Sequence, residues 1–225
     1  MHIPAQSIAT IKDLVLQLIS INEVKDDAYI RICYTLTESG TIGTFPEHSC
    51  LSITIDPMGR KKWLKDNLQM RLKLSDLLKP PREVFPHAIK CISNYTASRI
   101  EMKHLAEKGF DMLLYTNREG FITEAPTSII MFVKGNSIIT PPLSQNILPS
   151  ITRQTILDMC KQLHIPTEER SIHTSELPYF EAAFLCGTGI EIAPVQSVND
   201  IEYSSQHNLT HHIIEEFFNL VRNIS

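Results

Sequence analysis

The chain has 225 residues, 43% hydrophobic and 20% charged, with a formal net charge of −4. This is ordinary for a globular protein able to bury a core, and the charge leaves no electrostatic footprint for nucleic acid. No run of 18 apolar residues occurs, so no membrane partner is expected.

The first element in chain order is a helix over residues 8–22, where Ile11, Leu14, Val15, Leu18 and Ile19 recur at helical spacing. The segment lacks a basic start and reads as an amphipathic helix rather than a signal peptide. Two β-branched and aromatic runs, 29–37 and 51–55, predict strands, with turns at Gly40, Gly43 and Pro46 between them. Residues 56–86 are charged and proline-rich, ending in KPPREVFP, and read as a linker into a second unit. The basic run Arg60, Lys61, Lys62 and Lys65 reads as a solvated helix face. The expected organisation is a small N-terminal α/β domain with its linker over 1–85 and a larger domain over 86–225.

From residue 87 the predicted order is a strand (88–92), a helix (96–109), a strand at 110–116, a turn at 117–120 and a strand at 121–125. A Gly-Asn turn then splits 128–140 into a hairpin. A loop (141–149) leads to a helix from about 151 to 163, followed by a strand and loop at 183–196. A final helix over 209–222 carries Ile213, Ile214, Phe217, Phe218 and Val221 on one face. The fold class is mixed α/β with considerable antiparallel sheet. Five scattered cysteines without metal or redox spacing fit a reducing compartment, and a cytoplasmic location is expected.

Several residues could carry chemistry. Lys90 lies in the apolar stretch HAIKCISNY, where a buried lysine is costly unless paired or chemically used; a snorkelling edge-strand lysine is the plainer alternative. Tyr95, five residues on, could bond a ligand or cap the core. Glu124 sits in FITEAPTSII, where a buried carboxylate needs a cation, supplied either by a ligand ring nitrogen or by a structural arginine. Ser150 is a plausible N-cap, leaving the Ile151 and Thr152 amides free for an anion, although most capped helix starts bind nothing. Thr188 lies between two glycines in CGTGIEIAPV, a weak anion-loop signal shared by many tight turns. His207, His211 and His212 have no carboxylate or cysteine nearby to complete a metal site and read as surface residues.

Together these segments resemble the class IV aminotransferases, the fold-type IV pyridoxal-phosphate enzymes. The matching string runs from Lys90 as K-x4-Y through GFITEAPTS and IIT-PPLSQNILPSITR to FLCGTGIEIAPV. The separations Lys90–Glu124 (34), Glu124–Ile151 (27) and Ile151–Thr188 (37) resemble those of branched-chain aminotransferases without a gap. The resemblance implies a small domain and a larger domain with a barrel-like sheet, pyridoxal 5'-phosphate as cofactor, and a homodimer. It implies transamination of a branched-chain L-amino acid with 2-oxoglutarate. Lys90 would carry the internal aldimine and shuttle the proton, and Tyr95 would bond the phenolic oxygen. Glu124 would hold the ring nitrogen protonated, Ile151, Thr152 and Thr188 would cradle the phosphate, and Gly189 and Ile190 would meet the substrate carboxylate.

Two departures from the pattern matter. The family's asparagine five residues past the glutamate is Ile129 here. Nothing aligns with the family's first strands, which carry an arginine for the phosphate, so a more open site is expected. The alternatives are a non-catalytic or weakly active member, a D-amino-acid transaminase and an aminodeoxychorismate lyase.

Overall fold

The computed structural model describes residues 6–37, 48–59 and 63–222. It divides into two compact units, 1–61 and 62–225. The turn residues Gly40, Gly43 and Pro46, and Arg60, Lys61 and Lys62 of the basic run, lie outside the described residues; Lys65 is exposed in a turn.

In the first unit, helix α1 (Ile8–Ile21) begins where the Ser7 side chain accepts from the Thr10 amide at 3.1 Å, which satisfies one free first-turn donor. Strands β1 (Ala28–Leu36) and β2 (Ser49–Pro57) pair antiparallel. Their register sets Ile30 opposite Ile55, Ile32 opposite Ile53 and Tyr34 opposite Leu51. In β2, Leu51, Ile53 and Ile55 are half-buried while Ser52 and Thr54 are exposed, the period-two pattern of a one-sided ribbon. None of the described residues of α1, β1 or β2 is fully buried.

The second unit is built on a mixed sheet. Its strands are β3 (Met70–Leu74), β4 (Met112–Leu114), β5 (Ile129–Lys134), β6 (Ser137–Thr140), β7 (Thr167–Glu169), β8 (Ala182–Gly187), β9 (Glu191–Val198) and β10 (Ile201–Glu202). The spatial order is β4-β3-β9-β8-β5-β6-β7, with β10 beside β9. The order is an open path, and among the described residues no pairing joins β4 to β7. The expected linker over 56–86 is therefore corrected: Met70–Leu74 forms β3, parallel to both β4 and β9, and belongs to the large unit. The physical reason is burial, since Met70 and Leu72 enter the core while Arg71 between them is exposed.

Both faces of this sheet are covered. In β5, Ile130 and Phe132 pack into one apolar cluster with Trp63, Leu72, Phe180, Leu185 and Val195. The alternate residues Ile129, Met131 and Val133 pack into a second cluster with Phe184, Ile156, Ile213 and Phe217. Helices α3 (Ile151–Gln162) and α4 (Asn208–Arg222) supply the cover on that second face. The β5–β6 hairpin closes through Gly135 at φ +57°, a conformation natural to glycine, as the Gly-Asn signal predicts. Burial pushes the Cys186 thiol up to about 12 and the Cys160 thiol to about 11, so both behave as small core residues. No helix among the described residues is long and apolar enough to cross a membrane.

Candidate active site

A cleft of about 270 Å³ opens within the second unit. Four segments and Tyr115 line it: the loop from Lys79 to Tyr95, the turn Glu124–Ile129 entering β5, the approach Leu148–Ile151 to α3, and Gly187–Thr188 leaving β8. The cleft brings together Lys90, Tyr95, Glu124, Ile151 and Thr188, residues far apart in sequence. Thr152, Gly189 and Ile190 are not among its lining residues. Thr152 is 8% exposed behind the α3 tip, and the Ile190 carbonyl accepts from the Trp63 indole at 2.7 Å.

Lys90 is not on a strand. The expected strand over 88–92 is a turn and loop, closed by the Ile89 amide donating to the Pro86 carbonyl at 3.1 Å. Proline at 86 sets up the turn, and the apolar neighbours are not core residues: Ile89 is 48% and Ile92 85% exposed. Lys90 itself is exposed, so the apolar stretch around it does not bury its amine, which stands on an open rim. Its Nζ donates to the Tyr95 hydroxyl at 3.1 Å. Tyr95 ends a short 3-10 turn (Ile92–Tyr95) that runs into helix α2 (Thr96–Leu105). The Asn94 side chain ties that turn back to the Ile89 carbonyl at 3.4 Å, and Ser98 Oγ donates to the Tyr95 carbonyl at 2.9 Å.

Glu124 is 7% exposed. Its carbonyl accepts from the Tyr115 amide at 3.0 Å, which fixes the backbone beneath the carboxylate. One carboxylate oxygen accepts from the Leu148 amide at 2.8 Å, and the other pairs with Lys79 Nζ. The cation that sequence alone could not identify is thus Lys79, from a segment read as a linker. Leu148 lies three residues before the α3 tip, so the carboxylate and the helix start are tied to one short segment. Ser150 caps α3 by accepting from the Arg153 amide at 3.3 Å. The first-turn amides of Ile151 and Thr152 have no carbonyl within the helix to donate to, which makes the tip a place for negative charge. At Gly187 a Cβ would meet the Thr127 carbonyl at 3.0 Å, so the missing side chain lets the cleft floor close on β8.

The sequence reading also missed His87, which is 5% exposed. Its Nε2 lies 2.7 Å from the Pro80 carbonyl, which can only accept, so Nε2 carries the proton and Nδ1 is left without a partner. Burial, helped by the Lys79 charge, holds the imidazole below its ordinary value near 6.5, and the Pro80 carbonyl and Glu124 oppose this only in part. Because the folded form resists the proton that the unfolded chain takes up, stability must fall as pH drops below about 6.5. Thermal melts from pH 8 to 5 should show the wild-type chain losing stability more steeply than His87→Gln; parallel curves would refute this. Ser128 Oγ, another cleft-lining atom, is likewise buried without a partner. Ile129, where the resembled family has asparagine, is 2% exposed and packs into the apolar cluster under α3 and α4. Outside the cleft, His207 Nε2 meets Glu181 at 3.1 Å and His211 Nε2 meets the Ser205 carbonyl at 3.0 Å.

The chain is similar to known proteins over most of its length. A "Probable branched-chain-amino-acid aminotransferase" of Synechocystis sp. is 28% identical over 209 residues, covering 89% of this chain and 65% of that protein. The chloroplastic branched-chain amino acid aminotransferase 2 of Humulus lupulus is 31% identical over 156 residues, covering 68% of this chain and 38% of that protein. The chain thus spans less than two thirds of the length of these curated relatives. Among solved structures, the branched-chain amino acid aminotransferase of Thermobaculum terrenum in its PLP-form superposes with a TM-score of 0.88 at 25% identity, over 99% of this chain and 74% of that one. Residues 2–198 match the family described as amino-transferase class IV, and the chain belongs to that family.

Proposed function

We propose that this chain binds pyridoxal 5'-phosphate and moves an amino group between a branched-chain L-amino acid and 2-oxoglutarate, as a cytoplasmic homodimer. The observation that carries the reading is the Lys90–Tyr95 pair, an amine 3.1 Å from a phenol, in one cleft with a paired carboxylate and a capped helix tip. The residues fit the cofactor's chemistry. An aldehyde needs an amine (Lys90), a phenolic oxygen needs a donor (Tyr95), a ring nitrogen needs a carboxylate (Glu124), and a phosphate needs free amides (Ile151 and Thr152, with Thr188). Ser128 Oγ is a buried polar atom in the same cleft that lacks a partner within the chain.

Pyridoxal phosphate supplies an aldehyde that takes up an amino group and a ring that accepts electron density from the substrate's α-carbon. The chain's own residues would do the rest. Lys90 holds and moves the proton at the α-carbon, since its amine stands free on the rim with a phenol to orient it. Glu124, fixed by the Leu148 amide, keeps negative charge at the ring nitrogen. The α3 tip would hold the phosphate through its free first-turn amides. Gly189 and Ile190 amides, in the turn steadied by Trp63, take the substrate carboxylate.

The test is spectroscopic. Added pyridoxal phosphate should produce a visible absorbance band, and leucine, isoleucine or valine should shift it while D-alanine leaves it in place. A shift with D-alanine alone would redirect the reading to a D-amino-acid transaminase. A second reading, a member that binds the cofactor without turnover, draws on the exposure of Lys90 and the apolar burial of Ile129. A band that no amino acid shifts would favour it.

A further inference from the structure

Glu124 has a resident cation from within the chain. Lys79 Nζ donates to one carboxylate oxygen and the Leu148 amide to the other, with the two paired side chains only 11% and 9% exposed. We propose that Lys79 is a positioning residue for Glu124: it holds the carboxylate aimed into the cleft, and any ring cation that reaches Glu124 shares the carboxylate with the lysine. The sharing half rests on the cofactor reading above, whereas the pair itself does not.

The backbone around Lys79 is built to hold this contact. Its own amide donates to the Thr116 carbonyl at 2.9 Å, beside the Asn117–Gly120 turn. Pro80 follows and restricts the lysine's backbone to extended conformations. The Pro80 carbonyl then accepts from His87 Nε2, so the chain is tied on both sides of the lysine. An ammonium so placed gives the buried carboxylate a partner of opposite charge within the chain. It also draws off part of the carboxylate's charge, so a ring N–H on the same group is held less firmly than it would be beside a neutral residue.

Cofactor-free full-length chain should be melted as wild type, Lys79→Met, Lys79→Arg, Glu124→Gln and the Lys79→Met/Glu124→Gln double variant. Removing one partner leaves the other charge unpaired, so Lys79→Met should melt roughly 5–10 °C lower, and Lys79→Arg should recover most of the loss. The double variant should melt well above the sum of the two single losses. A Lys79→Met melt within about 1 °C of wild type, or strict additivity in the cycle, overturns the positioning role. Titration with pyridoxal phosphate then tests sharing: Lys79→Met, although less stable when cofactor-free, should bind it several-fold more tightly than wild type. Equal or weaker binding overturns sharing, because a merely structural lysine would lower both quantities together. If wild type shows neither a melting shift nor a visible band with the cofactor, the proposed function fails and sharing falls with it. The cofactor-free melts decide the positioning role separately.

Discussion

Lys90→Ala is expected to abolish the visible band formed with pyridoxal phosphate and to lower single-turnover transamination by roughly 10²–10⁴-fold, the usual effect of removing a positioned proton carrier. The fold should survive, because Lys90 is exposed and its loop is held by other groups, including Asn94 and the Pro86 carbonyl. A substitution of this kind normally changes stability by within about 0.5 kcal/mol, or a melting shift of about 2 °C. The variant therefore separates chemistry from folding. Lys79 lines the same cleft and is the rival amine. Its nitrogen, however, is committed to the Glu124 carboxylate, whereas Lys90 donates to the Tyr95 hydroxyl. If the band persists in Lys90→Ala and disappears only when Lys79 is also removed, the assignment of the amine is wrong.

That rivalry marks the limit of what the sequence discloses. Helix α4 is legible because its apolar residues keep one period and face one core, where Ile213, Ile214 and Phe217 are buried, and the β5–β6 hairpin because a Gly-Asn turn splits an apolar run. The stretch HAIKCI defeats the same reasoning, since Ile89 and Ile92 are exposed and only His87 is buried. Periodicity assumes that apolar residues go inside, and at a cleft rim they need not. Strand β3 is hidden by charged flanks although Met70 and Leu72 alternate correctly, and β7, Thr-Glu-Glu on an exposed edge, carries no hydrophobic signal. Lys90, Tyr95 and Glu124 are legible as a register because their spacing resembles a known family. Lys79 is not, because its meaning lies in a contact across 45 residues that no local pattern encodes.

Phe132→Ala should be the most destabilising of these single changes. Phe132 is fully buried at the middle of β5, opposite Ile139 on one side and Ala183 on the other. Its ring stacks on Phe180 with centroids 4.5 Å apart and meets Tyr203 edge-on at 6.2 Å. Truncation removes the transfer energy of the ring, leaves a cavity that sheet neighbours on both sides cannot close, and breaks both aromatic pairs. The expected cost is about 3–5 kcal/mol, against a total stability of roughly 5–15 kcal/mol for such a domain. Melting should fall by about 10 °C or more, and Phe132→Leu, which refills part of the space, should lose clearly less. The consequence reaches the cleft, because β5 begins at Ile129 on the cleft wall and pairs there with Cys186, next to Gly187 and Thr188. Cofactor affinity measured well below the lowered midpoint should therefore weaken along with stability, the opposite of the pattern expected for Lys79→Met. A Phe132→Ala chain melting within about 2 °C of wild type would mean that the two-faced packing of this sheet does not hold the site in place.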